Sequence, residues 1–215
     1  MISLNNKKKK DMKIIALAGS NSINSINEKL SSYAASLFEK SNIEQIDLND
    51  YEVEVYSVDK EANNGIPCKI VALAEKIDQT DLMVISLAEH NGSYSSAFKN
   101  IYDWLSRIEN RKVFGEKPIL LLATSPWARG GSSVLSLALD RFTRDGSEIL
   151  ESFSLPFFYD NFTDESISNI KMQIELIRKI NRIKSTKFKH FFPNESFDCG
   201  IDSKRDGGSG DASEY

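Results

Sequence analysis

The sequence predicts an α/β fold in three layers, with a five-stranded parallel sheet sandwiched between helices. Three observations predict it. Short apolar, β-rich runs alternate with amphipathic helical patterns from residue 13 to residue 182, the rhythm of repeated βαβ units. Two of the runs, 81–87 and 118–124, are apolar almost throughout, as strands covered on both faces are. The length, 215 residues, suits one such domain with short extensions.

The first strand is expected over 13–18. A helix over 25–40 follows, with Leu30, Ala34, Leu37 and Phe38 on one face. A weaker second strand spans 43–48. Residues 51–67 are polar and close on Asn63-Asn64-Gly65, so a loop is expected there. Pro67 suits the first turn of a helix reaching Ile77. The third strand is 81–87. Ser93 or Ser95 starts the next helix, which carries Ala97, Ile101, Trp104, Leu105 and Ile108 at helical spacing. Ile101 and Leu105 are read as core rather than interface. The fourth strand is 118–124, a helix spans 132–142, the fifth strand is 148–155 and the last helix 164–182. Five strands with five helices fit the strand order 2-1-3-4-5.

Composition narrows the function classes. The formal net charge is −4, which gives no global attraction to nucleic acid or an anionic membrane. Cys68 and Cys199 are far apart, and the histidines are His90 and His190, so neither a disulfide scaffold nor a zinc site is expected. No apolar run approaches the roughly 20 residues of a spanning helix. The basic run 7–10 precedes the apolar residues 14–18, but that stretch is too short for a signal peptide and leads into Gly19-Ser20-Asn21-Ser22. Residues 1–11 are read as a basic tail, 12–183 as the domain, and 184–215 as a basic, then Gly/Ser/Asp-rich tail, with 206–210 linker-like and disordered. A cytoplasmic location is expected.

Ligands of open parallel sheets bind outside the carboxyl ends of the strands, so three loops carry the chemistry. The first contains Ser20, Ser22, Ser25, Ile26 and Asn27 and leads into a helix. Helix amides and the helix dipole favour a phosphate there, with no lysine or arginine in the loop. The same residues also suit a helix cap with turns. The loop is neither a Walker loop nor a GxGxxG, which disfavours ATP and a Rossmann dinucleotide. The second loop holds Glu89, His90, Asn91, Gly92 and Ser93. Asn91-Gly92 allows a tight turn with positive φ that offers amides to a flat heterocycle, with His90 and Tyr94 able to pack on its ring. The third loop holds Ser125, Pro126, Trp127, Arg129, Gly130 and Gly131. Its glycines permit close approach, Trp127 is able to cover a ligand or sit at a subunit contact, and Arg129 either forms a surface salt bridge or, with the following helix end, would stabilise an anionic, reduced ring.

Together the loops resemble the NADPH-dependent FMN reductase family. Its first motif, G-S-x-R-x-x-S-x-N, is matched by Gly19, Ser20, Ser25 and Asn27. Its second, P-E-Y-N-x-S-x-P-G-x-L-K-N-x-x-D-W, is matched by Glu89, Asn91, Ser93, Lys99, Asn100, Asp103 and Trp104. Its third, a small-residue and glycine cluster, is matched by Ser125, Gly130 and Gly131. Ser22 stands where the family has a phosphate-binding arginine, and Ala88 and His90 replace Pro and Tyr. The resemblance implies a flavodoxin-like fold that binds FMN, with the phosphate on Ser20, Ser22, Ser25 and Asn27. The ring then lies against 89–93 and 125–131. It implies hydride transfer from NADPH or NADH through FMN to a quinone, flavin or similar small acceptor. The flavin carries that chemistry, so no catalytic side chain is nominated. It also implies a homodimer or homotetramer, with the helix bearing Lys99 to Trp104 near the interface. Two other readings stay open: an electron carrier of the flavodoxin kind, and a relative with weakened FMN binding that acts through binding or assembly.

Overall fold

A computed structural model describes residues 11–192. The basic run 7–10 and the linker-like segment 206–210 lie outside the described residues. The elements are β1 (Met12–Gly19), α1 (Ile26–Ser36), β2 (Ser41–Ile46), α2 (Val58–Asn64), α3 (Cys68–Asp78), β3 (Leu82–Leu87), α4 (Ser96–Leu105), β4 (Pro118–Thr124), α5 (Ser132–Arg144), β5 (Glu148–Leu155) and α6 (Ile170–Thr186). Two short hairpins and a one-turn helix (Phe158–Asn161) sit in the connections.

All pairings within the five-stranded sheet are parallel and its order is β2-β1-β3-β4-β5, a flavodoxin-like arrangement. Side chains alternate between the two faces at the strand period of two. Ile15, Leu17, Met83, Ile85, Leu87, Leu121 and Ala123 face α3, α4 and α5. Ile14, Ala16, Leu82, Val84, Leu120 and Leu122 face α1 and α6. Burying one such aliphatic side chain contributes about 1.5–3 kcal/mol, so the two-faced central strands anchor the fold. Ile101 and Leu105 are core residues, 5% and 2% exposed.

The register decides where the loops emerge. Gly19 pairs with Leu87, Leu87 with Ala123, and Thr124 with Leu155. The loops after β1, β3, β4 and β5 therefore leave the sheet side by side at one rim.

Three segments differ from the sequence expectation. Residues 51–67 were expected as loop, yet they contain α2, capped by Ser57 Oγ, which accepts from Lys60 N at 3.2 Å. No α2 residue is buried, so no apolar stripe marks it. It docks instead by charge: Arg107 Nε donates to both Glu61 carboxylate oxygens at 2.9 and 3.1 Å. The guanidinium holds the Glu61 carboxyl below its usual range. The last helix starts at Ile170, not at 164, because residues 162–167 form a hairpin turned by Asp164 and Glu165 at φ 49° and 64°. At the other end the chain remains part of the fold beyond residue 183, where a tail was expected. Helix α6 runs to Thr186, and Phe188 and Phe192 are buried against the same face as Leu176 and Ile180. Their aromatic area supplies the burial that a solvated tail lacks.

Candidate functional site

Each loop is fixed by its own chemistry before it meets the others. Ser25 caps α1, its Oγ accepting from Glu28 N at 3.2 Å. Earlier in the loop, Ser20 Oγ accepts from Ser22 N at 3.2 Å and bends the chain. Ser95 caps α4, taking Phe98 N at 3.2 Å, and donates its hydroxyl to Gly19 O at 2.8 Å, which ties the second loop's end to β1. Asn91 and Gly92, at φ 52° and 78°, make the expected two-residue turn of a hairpin between Glu89-His90 and Ser93-Tyr94.

Asn27 lies 2% exposed beneath the rim. Its Oδ1 accepts from Ser86 Oγ at 2.8 Å and Thr124 N at 3.2 Å, and its Nδ2 donates to Thr124 O at 3.4 Å. One side chain thus fastens α1 to the ends of β3 and β4. Its oxygen braces the rim, while Nδ2 has a second N–H and Asn27 also lines the cleft.

Glu89 makes the second bracket. Its Oε2 accepts from Ser133 N at 2.9 Å and Val134 N at 3.1 Å, the first-turn amides of α5. The residue at the cap position, Gly131, has φ 78° and no side chain to do this. At both glycines of the third loop an added side chain would meet protein. A Cβ on Gly130 would stand 2.4 Å from Ser154 Oγ and 2.8 Å from Pro156 N, and one on Gly131 would stand 2.9 Å from Ala123 Cβ.

The three loops enclose a cleft of about 220 Å³ at the rim. Among the expected residues, Ser20, Ser22, Ser25, Ile26, Asn27, Glu89, His90, Ser125 and Pro126 line it. Asn91, Gly92, Ser93, Trp127, Arg129, Gly130 and Gly131 do not. The Asn91-Gly92 tip projects into solvent, and Trp127 is 75% exposed, so it does not roof the cleft. Arg129 is also exposed, its guanidinium donating to Ser133 Oγ at 2.6 Å. Tyr94 turns into the core rather than toward the cleft. It is 9% exposed and stacks at 6.2 Å on Phe142, and burial pushes its phenol up to about 12.

Tyr159, on the one-turn helix after β5, lines the cleft as well, together with Asn24, Ala88 and Thr124. Composition singles out the loops after the first, third and fourth strands, not the segment that bears Tyr159. The amide pairing Phe158 N to Ser125 O at 3.1 Å is what brings that segment to the rim. A larger groove of about 650 Å³ adjoins the cleft along the outer face of α1, sharing Asn24, Ser25 and Tyr159 with it.

The remaining motif residues are structural. Asn100 Oδ1 accepts from Tyr56 N at 2.9 Å, its Nδ2 donates to Val53 O and Glu54 O at 3.2 Å, and Trp104 Nε1 donates to Glu54 O at 2.9 Å. They clamp the 53–56 segment onto α4. Lys99 and Asp103 form an i,i+4 ion pair at 2.7 Å.

The cleft is lined by the hydroxyls of Ser20, Ser22 and Ser25 at the start of an 11-residue helix, and by Ala88, Pro126 and Tyr159. That donor set fits a phosphate joined to a planar ring. The fold and the rim therefore define a flavodoxin-like α/β protein with a polar cleft at the carboxyl ends of its strands. Residues 12–159 match the family model for NADPH-dependent FMN reductase, and the chain belongs to that family. It is an oxidoreductase of the FMN- and quinone-reductase kind, with FMN and NAD(P)H as cofactors.

An uncharacterised protein of Mycoplasma pneumoniae is 30% identical over 154 residues, covering 70% of this chain and 90% of that protein. A quinone reductase of Escherichia coli is 37% identical over 81 residues, 38% of this chain and 43% of the enzyme, so that match spans less than half of its length. The fold is shared with the flavoenzyme NAD(P)H:(acceptor) oxidoreductase FerB of Paracoccus denitrificans, at a TM-score of 0.63 and 21% identity, over 81% of this chain and 98% of that one. Among the described residues no helix is long and apolar enough to cross a membrane.

Proposed function

We propose that the rim cleft holds FMN and that the protein passes hydride from NAD(P)H to a small quinone, flavin or similar acceptor. The observation that carries this reading is the convergence of the three loops on one cleft with serine hydroxyls gathered at the start of α1. Bound FMN supplies the chemistry, accepting a hydride from one partner and delivering it to the next.

The chain's own residues bind and position. Ser25 Oγ accepts an α1 amide, which leaves its O–H free to donate to a phosphate oxygen. Ser20 and Ser22 add hydroxyls beside it, and the α1 dipole supplies the partial positive charge that no side chain of the cleft supplies. Glu89 and Asn27 hold the second loop, third loop and α1 at fixed spacing, which sets the width available to a ring. No acid, base or nucleophile is needed.

The test is an anaerobic mixing experiment on the FMN-loaded protein. NAD(P)H alone is expected to bleach the flavin absorbance, and a quinone to restore it. Loaded protein whose flavin does not bleach would instead act as an electron carrier. The homodimer or homotetramer implied by the family belongs to the same reading, and sedimentation measures it.

A further inference from the structure

The cleft wall carries a carboxylate placed where the opposite charge was expected. The start of an α-helix carries about +0.5 of an elementary charge, and at α5 that charge would favour a reduced, anionic ring. Glu89 Oε2, however, sits on the Ser133 and Val134 amides at 2.9 and 3.1 Å, and Glu89 also lines the cleft. A full negative charge on a half positive one leaves that end net negative. Arg129 does not restore the balance, since it is exposed on Ser133 Oγ and outside the cleft lining. No lysine or arginine lines the cleft among the described residues.

We propose that Glu89 is a positioning residue that also sets the flavin's reduction potential. It clamps the second loop to α5, and its charge disfavours reduced FMN relative to oxidised FMN. The inference rests on FMN occupying the cleft. The balance is simple. A C–H bond of the nicotinamide breaks and its hydrogen, with both electrons, bonds to the flavin ring. NAD(P)H leaves as NAD(P)⁺ and the ring system gains one negative charge. A carboxylate on the cleft wall repels that added charge, so the reduced flavin gives its hydride up more readily to an acceptor.

Glu89→Gln separates charge from geometry, because the amide oxygen still accepts from both backbone amides. The measurement is the dissociation constant of oxidised FMN and, anaerobically, of chemically reduced FMN, for the wild type and for Glu89→Gln. The ratio of the two constants reports the potential. Wild type is expected to hold oxidised FMN the more tightly. Glu89→Gln is expected to tighten reduced FMN severalfold relative to oxidised FMN, with a melting temperature of the FMN-free protein close to wild type. Glu89→Ala, which removes the clamp as well, is expected to lower that melting temperature. An unchanged ratio in Glu89→Gln, or one that moves the other way, overturns the proposal while leaving FMN binding intact. Failure of the wild type to bind FMN overturns the reading beneath it, and the proposal with it.

Discussion

In the proposed FMN site Ser22 stands beside the phosphate, where the family motif has an arginine. Its backbone amide is engaged by Ser20 Oγ at 3.2 Å, and its short side chain brings no positive charge to the cleft. Charge-assisted hydrogen bonds contribute about 1.5–3 kcal/mol each. Ser22→Arg is therefore expected to tighten FMN about tenfold or more in an equilibrium titration. No change would mean that the phosphate does not sit at the start of α1.

Tyr94 shows a different residue-scale effect. Its hydroxyl is buried without a hydrogen-bond partner, and burial lifts its pKa from 10.0 to about 12. Such a group contributes stability that is intact below the unfolded value and lost as pH rises from there through the folded value. Stability is thus expected to fall between pH 10 and 12. Tyr94→Phe should flatten that fall, and should cost nothing at neutral pH because no hydrogen bond is lost. Urea unfolding at several alkaline pH values reads both effects. A steeper alkaline fall in the variant would contradict the assignment.

At the scale of elements, legibility followed the strength of the local signal. The central strands and α4 were readable because two-sided burial and helical periodicity leave strong patterns. Ser95 was one of two candidates for the α4 cap and is the one that caps it. Helix α2 left no apolar stripe, since ion pairs rather than burial hold it. The 162–167 hairpin was hidden because Asp164 and Glu165 take positive φ without the glycine or asparagine that normally announces such a turn. The third loop's glycines were legible as necessary, but not for what reason. Gly130 meets Ser154 and Pro156 across the loop. Gly130→Ala is accordingly expected to destabilise the fold by about 2 kcal/mol or more, combining strain at positive φ with a clash against backbone. Gly92→Ala, with φ 78° and nothing within 4 Å of an added Cβ, should cost only about 1 kcal/mol. Thermal or denaturant unfolding ranks the two, and equal losses would show that Gly130 is not pinned against β5.

For the whole molecule, sheet order and the choice of rim followed from the sequence because parallel crossovers leave few alternatives. The pairings across the rim did not. Asn27 with Thr124 and Glu89 with Ser133 join residues 97 and 44 positions apart, and nothing local in either loop marks its partner. Seven of the expected site residues fall outside the cleft lining for the same reason: composition identifies a loop, while only the packed rim decides which of its atoms face inward. The three loops form one cleft because these two brackets hold them together. The measurement that tests this most directly is a titration of the cofactor-free protein with FMN, followed by flavin fluorescence. The account predicts saturable, one-to-one binding with a micromolar or tighter dissociation constant. A titration that shows no saturable binding at those concentrations would contradict it.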